Sequence, residues 1–301
     1  MKITFLYLLI FASLFSCGQS KSKTQPKEKP NALSVTTMDT TFIAKSLERI
    51  VKSIASINEV QYEYVGIEGK RSSNYQNFLQ LKKVATTDEL VKLTNDTNNV
   101  VACYASWALA DKSYSKLSDI LIHFLKEDKS VQTLSGCIIS DNNISGELYH
   151  RYWNRVSEKV KATDQLLLQL DSTILYSDNS DWLLMTRAFE NRIYPPSYKK
   201  RIASLAFMHG NHEALFYLCN WYRADNYNNL KISLISYLKK TDFRKAGTAD
   251  YYRTIDELLK FRDTKIEKLV IQKLKKDKNW KSQEQKFKSL LDDYGIYDNF
   301  D

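Results

Sequence analysis

Four cysteines and four histidines hold most of the reactive chemistry in this chain of 301 residues, and their neighbours decide what each can do. Cys17 stands apart from the rest. It closes Leu14-Phe15-Ser16-Cys17-Gly18, directly after an apolar run from Ile3 to Phe15 that follows Met1-Lys2. The run is too short for a spanning helix, which takes about 20 apolar residues, and suits a signal-peptide core. Cys103, Cys137 and Cys219 each sit inside an apolar stretch and read as small buried hydrophobes rather than as nucleophiles. With Cys17 set aside, three remain, an odd number that allows one internal disulfide at most. Of the histidines, 123, 150, 209 and 212, the last two fall in His209-Gly210-Asn211-His212-Glu213, the densest set of metal-competent side chains. Two histidines three apart, with no helix-borne third ligand, make a weak zinc site. The chain has no nucleophile elbow, no phosphate-binding loop and no dinucleotide fingerprint. Carboxylates are plentiful, but their spacing singles out no acid–base pair. No catalytic residue, metal ligand or cofactor is therefore assigned.

Two of these strings resemble known motifs. The Cys17 junction resembles the lipobox of bacterial lipoproteins: aliphatic Leu14, two further residues of which Ser16 is small, then the cysteine. The resemblance implies removal of residues 1–16 and a diacylglycerol on Cys17. It also implies export to the periplasm or cell surface, with the chain anchored in the cell membrane or the outer membrane. Each acyl methylene buried adds roughly 0.8 kcal/mol, so several chains on one cysteine hold firmly. Gly210-Asn211-His212-Glu213 resembles the Gly-Asn-His-Asp/Glu motif of metallophosphoesterases, in which Asn and His bind one of two metals. That family also needs an upstream Asp-x-His and later histidines. Leu121, Leu148 and Phe207 stand where that Asp would be, and no histidine follows 212. The string is therefore read as a turn whose polar residues start the next helix.

The elements that must position these residues are predicted to be helices. Only 8 glycines and 4 prolines occur, a poor supply for the turns of a many-stranded fold. The excess of 44 basic over 35 acidic residues gives a net charge of +9. On an exported chain that reads as a solvated surface facing anionic lipid or polymer, not as a nucleic-acid site. Residues 17–37 are polar and form a flexible tether. A helix is expected over Asp39–Ile57. Val60-Gln61-Tyr62-Glu63-Tyr64 alternates like a strand but has no evident partner, and is assigned to an extended connector within 38–86. Helices are predicted over Thr87–Leu93, then through Val101, Ala105, Ala108 and Leu109, and again from Tyr114 to Leu125. A second stripe is predicted at Val131, Ser135, Ile138 and Ile139. Further helices are expected over Asp164–Tyr176, Asp181–Ile193, Ser197–Met208, Asp250–Phe261, Lys265–Lys276 and Ser282–Leu291. The basic helix near 265–281 is read as an exposed end-helix, with an anionic membrane surface as the alternative for its apolar stripe.

Two stripes 30 residues apart, at Val101 and Val131, resemble the HEAT repeat family. The pattern from Tyr114 through Leu117 and Leu121 to Lys126 returns 113 residues later, from Tyr227 through Leu230 and Leu234 to Lys239. The resemblance implies an all-α fold, an α-solenoid of HEAT-like helical pairs over 87–301, and it extends to lipid-anchored HEAT-like proteins of Bacteroidetes-type bacteria. It implies a binding or scaffolding surface. The expected function is a membrane-tethered, non-enzymatic lipoprotein of the cell envelope that binds an unidentified protein or peptide, in one form a protector against an envelope toxin. The alternative is an envelope hydrolase, whose mark would be a deep pocket with two or more clustered acids or histidines. The partner face is expected at Tyr104, Trp107 and Tyr217, with wedging between repeats as the competing role for these rings.

Overall fold

The structure, a computed structural model, describes residues 45–297. The predicted signal sequence, Cys17, the tether and the start of the first helix lie outside the described residues.

Side-chain caps written in the sequence start most of the helices. Ser72, Thr86, Asn98, Asp164, Asp181, Asn211, Asp242 and Asp263 each accept a hydrogen bond from a backbone N–H of the turn they open. Thr86 and Glu89 complete a reciprocal capping box. The helices are α1 (Lys45–Ile57), α2 (Ser73–Val84), α3 (Thr87–Leu93), α4 (Asn99–Asp111), α5 (Leu117–Glu127), α6 (Ile144–Trp153) and α7 (Gln165–Tyr176). They continue with α8 (Trp182–Asn191), α9 (Lys199–Phe207), α10 (His212–Trp221), α11 (Tyr227–Lys240), α12 (Phe243–Leu259), α13 (Thr264–Lys276) and α14 (Glu284–Asp293). Gly247, at φ 72°, breaks α12 near its start, a conformation open to glycine at no steric cost. The chain is mostly helical, as expected.

It is not all-α. Strands β1 (Val60–Val65), β2 (Lys70–Arg71), β3 (Ser130–Gly136) and β4 (Ile138–Asn143) form one sheet in the order β2-β1-β3-β4. The partner that the sequence reading could not supply for 60–64 is β3, which joins β1 in parallel from some 70 residues downstream. The stripe predicted at 131–139 is likewise a correction: β3 and β4 are an antiparallel hairpin. Val131 and Thr133 alternate inward while Ser135, Ile138 and Ile139 are exposed. Only two residues, Gly136 and Cys137, separate the paired Ser135 and Ile138. Gly136 has φ 56°, the positive value such a tight loop demands. Two apolar residues in succession suited a helix stripe, but the local Gly chose the turn. Cys137 is thus exposed at the hairpin tip rather than buried, whereas Cys103 and Cys219 are buried and all three are free thiols.

The core runs along the helices. From α4 onward each helix takes its main packing partners from those one or two places away in sequence. At 113 residues' offset, α4–α5 and α10–α11 repeat in detail: both first helices are capped by asparagine, and Leu117, Leu121 and Leu125 are buried like Leu230, Leu234 and Leu238. On α13, Ile266, Val270 and Leu274 are buried, so the apolar stripe weighed for a membrane faces the protein core. One polar knot ties α6, α7 and α8. Fully buried Asp171 accepts from Tyr149 Oη at 2.7 Å, Asn191 Nδ2 at 2.9 Å and Arg192 Nε at 3.1 Å.

Candidate functional site

The string His209-Gly210-Asn211-His212-Glu213 joins α9 to α10. Its residues do what a helix start requires. Gly210 turns the chain at φ 65°, and Asn211 spends its side-chain oxygen on the Ala214 N–H at 2.9 Å. The turn also forms one wall of a half-open cleft of about 570 Å³. The loop after α7 contributes Ser177, Asp178 and Ser180, α8 contributes Trp182 and Met185, and Asp250 enters from α12. Trp182, the first residue of α8, is 72% exposed at this cleft, a large apolar surface left in water.

Every group of fixed charge in the lining is acidic. Asp178 is held on one side by Arg201 Nη2 at 3.2 Å, and Glu213 lies 3.9 Å from Arg253. Neither arginine lines the cleft. Burial raises the pKa of Glu213; Arg253 opposes the rise and Asp250 adds to it. Burial lowers that of His212, with Asp250 pulling the other way, and the ring lies 3.9 Å from that of Tyr237. The cleft is therefore a negative, partly desolvated surface. Among the described residues, no three His, Cys, Asp or Glu side chains converge closely enough to hold a metal ion.

The aromatic residues expected on a partner face are elsewhere. Tyr104 and Trp107 on α4 are 0% and 1% exposed, and Tyr217 on α10 is 3% exposed. These are core positions, so the proposed partner face at these rings is corrected. The physical reason is that α4 is apolar all round. Val100 to Ala110 are buried without a break, so the helix presents no exposed aromatic flank. Trp107 packs edge-on against Tyr62, Phe78 and Tyr104 at centroid distances of 5.2, 5.7 and 5.4 Å. The equivalence of Tyr104 and Tyr217 does hold, in another form. Tyr104 Oη accepts from the Gln61 N–H at 2.7 Å and donates to the Gln61 carbonyl at 2.9 Å. Tyr217 Oη accepts from the Tyr194 N–H at 2.6 Å. Both hydroxyls satisfy backbone of an earlier segment.

Asp178, Trp182 and Asp250 join the cleft from outside the 209–213 string. A tryptophan directly after the capping Asp181 was a visible signal, since a cap fixes where the helix begins. No spacing relates Asp250 to residues 210–213; that approach is tertiary. Comparison with protein-family models, with curated proteins and with solved structures finds no match to this chain.

Proposed function

We propose that the protein is a membrane-tethered binding lipoprotein of the cell envelope whose α8–α10 cleft takes a basic segment of a protein or peptide. The observation that carries this reading is the lining itself: three carboxylates, no fixed cation, and an exposed indole. A lysine or arginine side chain meets both needs, with charge facing Asp178, Glu213 and Asp250 and its stem or cation lying on Trp182. The tether rests on Leu14-Phe15-Ser16-Cys17, with lipid on Cys17 and the chain exported. No helix of the described residues is long and apolar enough to cross a membrane. The neighbour-to-neighbour packing from α4 onward and the α4–α5 echo at α10–α11 support stacked HEAT-like pairs, a solenoid body interrupted by the β3–β4 hairpin.

A specific observation also favours the hydrolase. Burial and the charge of Asp250 raise the pKa of Glu213, and a carboxyl so raised suits a general acid. The cleft meets part of the criterion stated for an enzyme, in the number of its acids and histidines. It is half open, and its ligating groups do not converge.

One set of titrations separates the two. Full-length protein in detergent is titrated with a lysine-rich peptide and a glutamate-rich one, and incubated with cell-wall polymer. Binding of the lysine-rich peptide alone, weakened on the order of tenfold in Asp250→Asn and by salt, is expected. Release of polymer fragments that stops in Glu213→Gln would replace binding with hydrolysis. For the tether, cells fed an alkyne fatty acid should label the protein and fail to label Cys17→Ser; label on the variant refutes lipid at Cys17.

A further inference from the structure

A second pocket, of about 360 Å³, lies where β1, α2, α4 and α6 meet, away from the α8–α10 cleft. Three basic side chains converge in it on a single carboxylate. Asp111, its side chain 6% exposed, receives Lys82 Nζ at 2.7 Å and Arg151 Nε and Nη2 at 2.8 and 2.7 Å, with Arg155 Nη1 at 3.8 Å. Burial works against the Asp111 anion, but Arg151 and Lys82 hold its pKa below the ordinary range, so it stays charged. The other acid of the lining, Glu147, accepts from Tyr62 Oη at 2.9 Å and Asn142 Nδ2 at 2.8 Å, and burial moves its pKa upward. Three cations against two acids leave the pocket positive even with both acids ionised, and more so as Glu147 takes its proton.

An independent observation points the same way. Trp107 and His150 both line this pocket, and Trp107 Nε1 and His150 Nε2 are buried with no hydrogen-bond partner. An indole nitrogen only donates, and buried donors are rarely left unmatched because the lost hydration is not returned. Burial and the charge of Arg187 keep His150 toward its neutral form, in which Nε2 can carry the proton and donate as well. The cations are also held still. The Arg151 guanidinium, forked onto Asp111, lies 5.0 Å from the Trp107 ring centroid and 5.2 Å from that of Phe78. A fork pinned on one edge and lying against two rings loses little freedom when a second anion arrives.

We infer that this pocket is an oxyanion site, taking a carboxylate or phosphate group against Lys82, Arg151 and Arg155 with the Trp107 indole N–H donating to it. Asp111 orients Lys82 and Arg151, the Ala110 carbonyl accepts from Arg155 Nη1 at 2.6 Å, and neither acceptor touches the ligand. The competing role for the same cluster is a purely structural hub joining α2, α4 and α6, which would leave the pocket indifferent to anions.

Full-length protein in detergent is titrated by calorimetry with inorganic phosphate and, separately, with acetate, against chloride of equal ionic strength. Saturable binding of at least one is expected, weakened on the order of tenfold in Arg155→Gln and in Lys82→Gln. Phosphate alone assigns a phosphate-bearing ligand, acetate alone a carboxylate. Arg155→Gln leaves the Arg151–Asp111 fork in place, and an unchanged circular dichroism spectrum checks its fold. If Lys82→Gln does not fold, Arg155→Gln decides the matter alone. No saturation by either anion up to about 10 mM, or equal affinity in the folded variants, overturns the inference.

Discussion

Replacing Tyr104 by Phe removes one oxygen and little else, which makes it the cleanest probe of how the sheet is joined to the helices. The hydroxyl serves both backbone groups of Gln61, accepting from its N–H and donating to its carbonyl. It does so where the β1–β3 ladder changes register between Gln61 and Val65. The phenyl ring would keep its stack on Phe78 at 5.2 Å and its edge contact with Trp107 at 5.4 Å. The loss is then two hydrogen bonds and two polar backbone groups without partners. Each such group costs about 1–3 kcal/mol when fully buried. Gln61 is only half-buried, so the lower part of that range applies, giving about 2–3 kcal/mol for the pair. Urea titration of wild type and Tyr104→Phe measures it, and the melting temperature should fall by about 5–10 °C. A loss below about 0.5 kcal/mol would mean that water replaces the hydroxyl and that the ring, not the oxygen, holds the strand. A loss above about 5 kcal/mol would mean that the packing had not survived the change.

Trp107→Ala should cost about 3–5 kcal/mol in the same assay, as other core aromatic truncations do, and a near-unchanged melting point would return this residue to the surface. Burial pushes the pKa of Asp171 up to about 6 from an ordinary 3.8, so between these values the folded protein holds the proton more tightly than the unfolded chain. The contribution of this one group therefore falls as pH rises from about 4 to about 6, by up to about 3 kcal/mol. Asp171→Asn should abolish that slope in a series of urea midpoints, whatever it does to the absolute stability; parallel profiles for the two proteins would refute the assignment.

Much of the helical framework was legible in the sequence because its signals are local. A cap and the spacing of apolar residues act within one or two turns, so Asp164 and Asp181 marked the starts of α7 and α8 within a residue. The 113-residue echo was legible for the same reason: two helices that bury the same face repeat the same leucines. Asn211 at the head of α10 likewise followed from residue type and position.

The sheet was not legible, because a strand is stabilised by a partner whose distance along the chain carries no signal. Val60–Val65 alternated as a strand should, yet only the folded chain brings Ser130–Gly136 beside it. In 130–139 the local pattern admitted two periods, and the parallel pairing with β1 together with the turn at Gly136 selected the strand. Nor could spacing tell a flank from a core. The absence of any polar face between Val100 and Ala110 already implied that α4 is enclosed, but which neighbours enclose Trp107 was settled by α2, β1 and α6. Both pockets belong to that second category. Asp250 reaches Glu213, and Lys82 and Arg151 meet at Asp111, across 29 or more residues of chain, and charges gathered over such separations are arranged by packing alone.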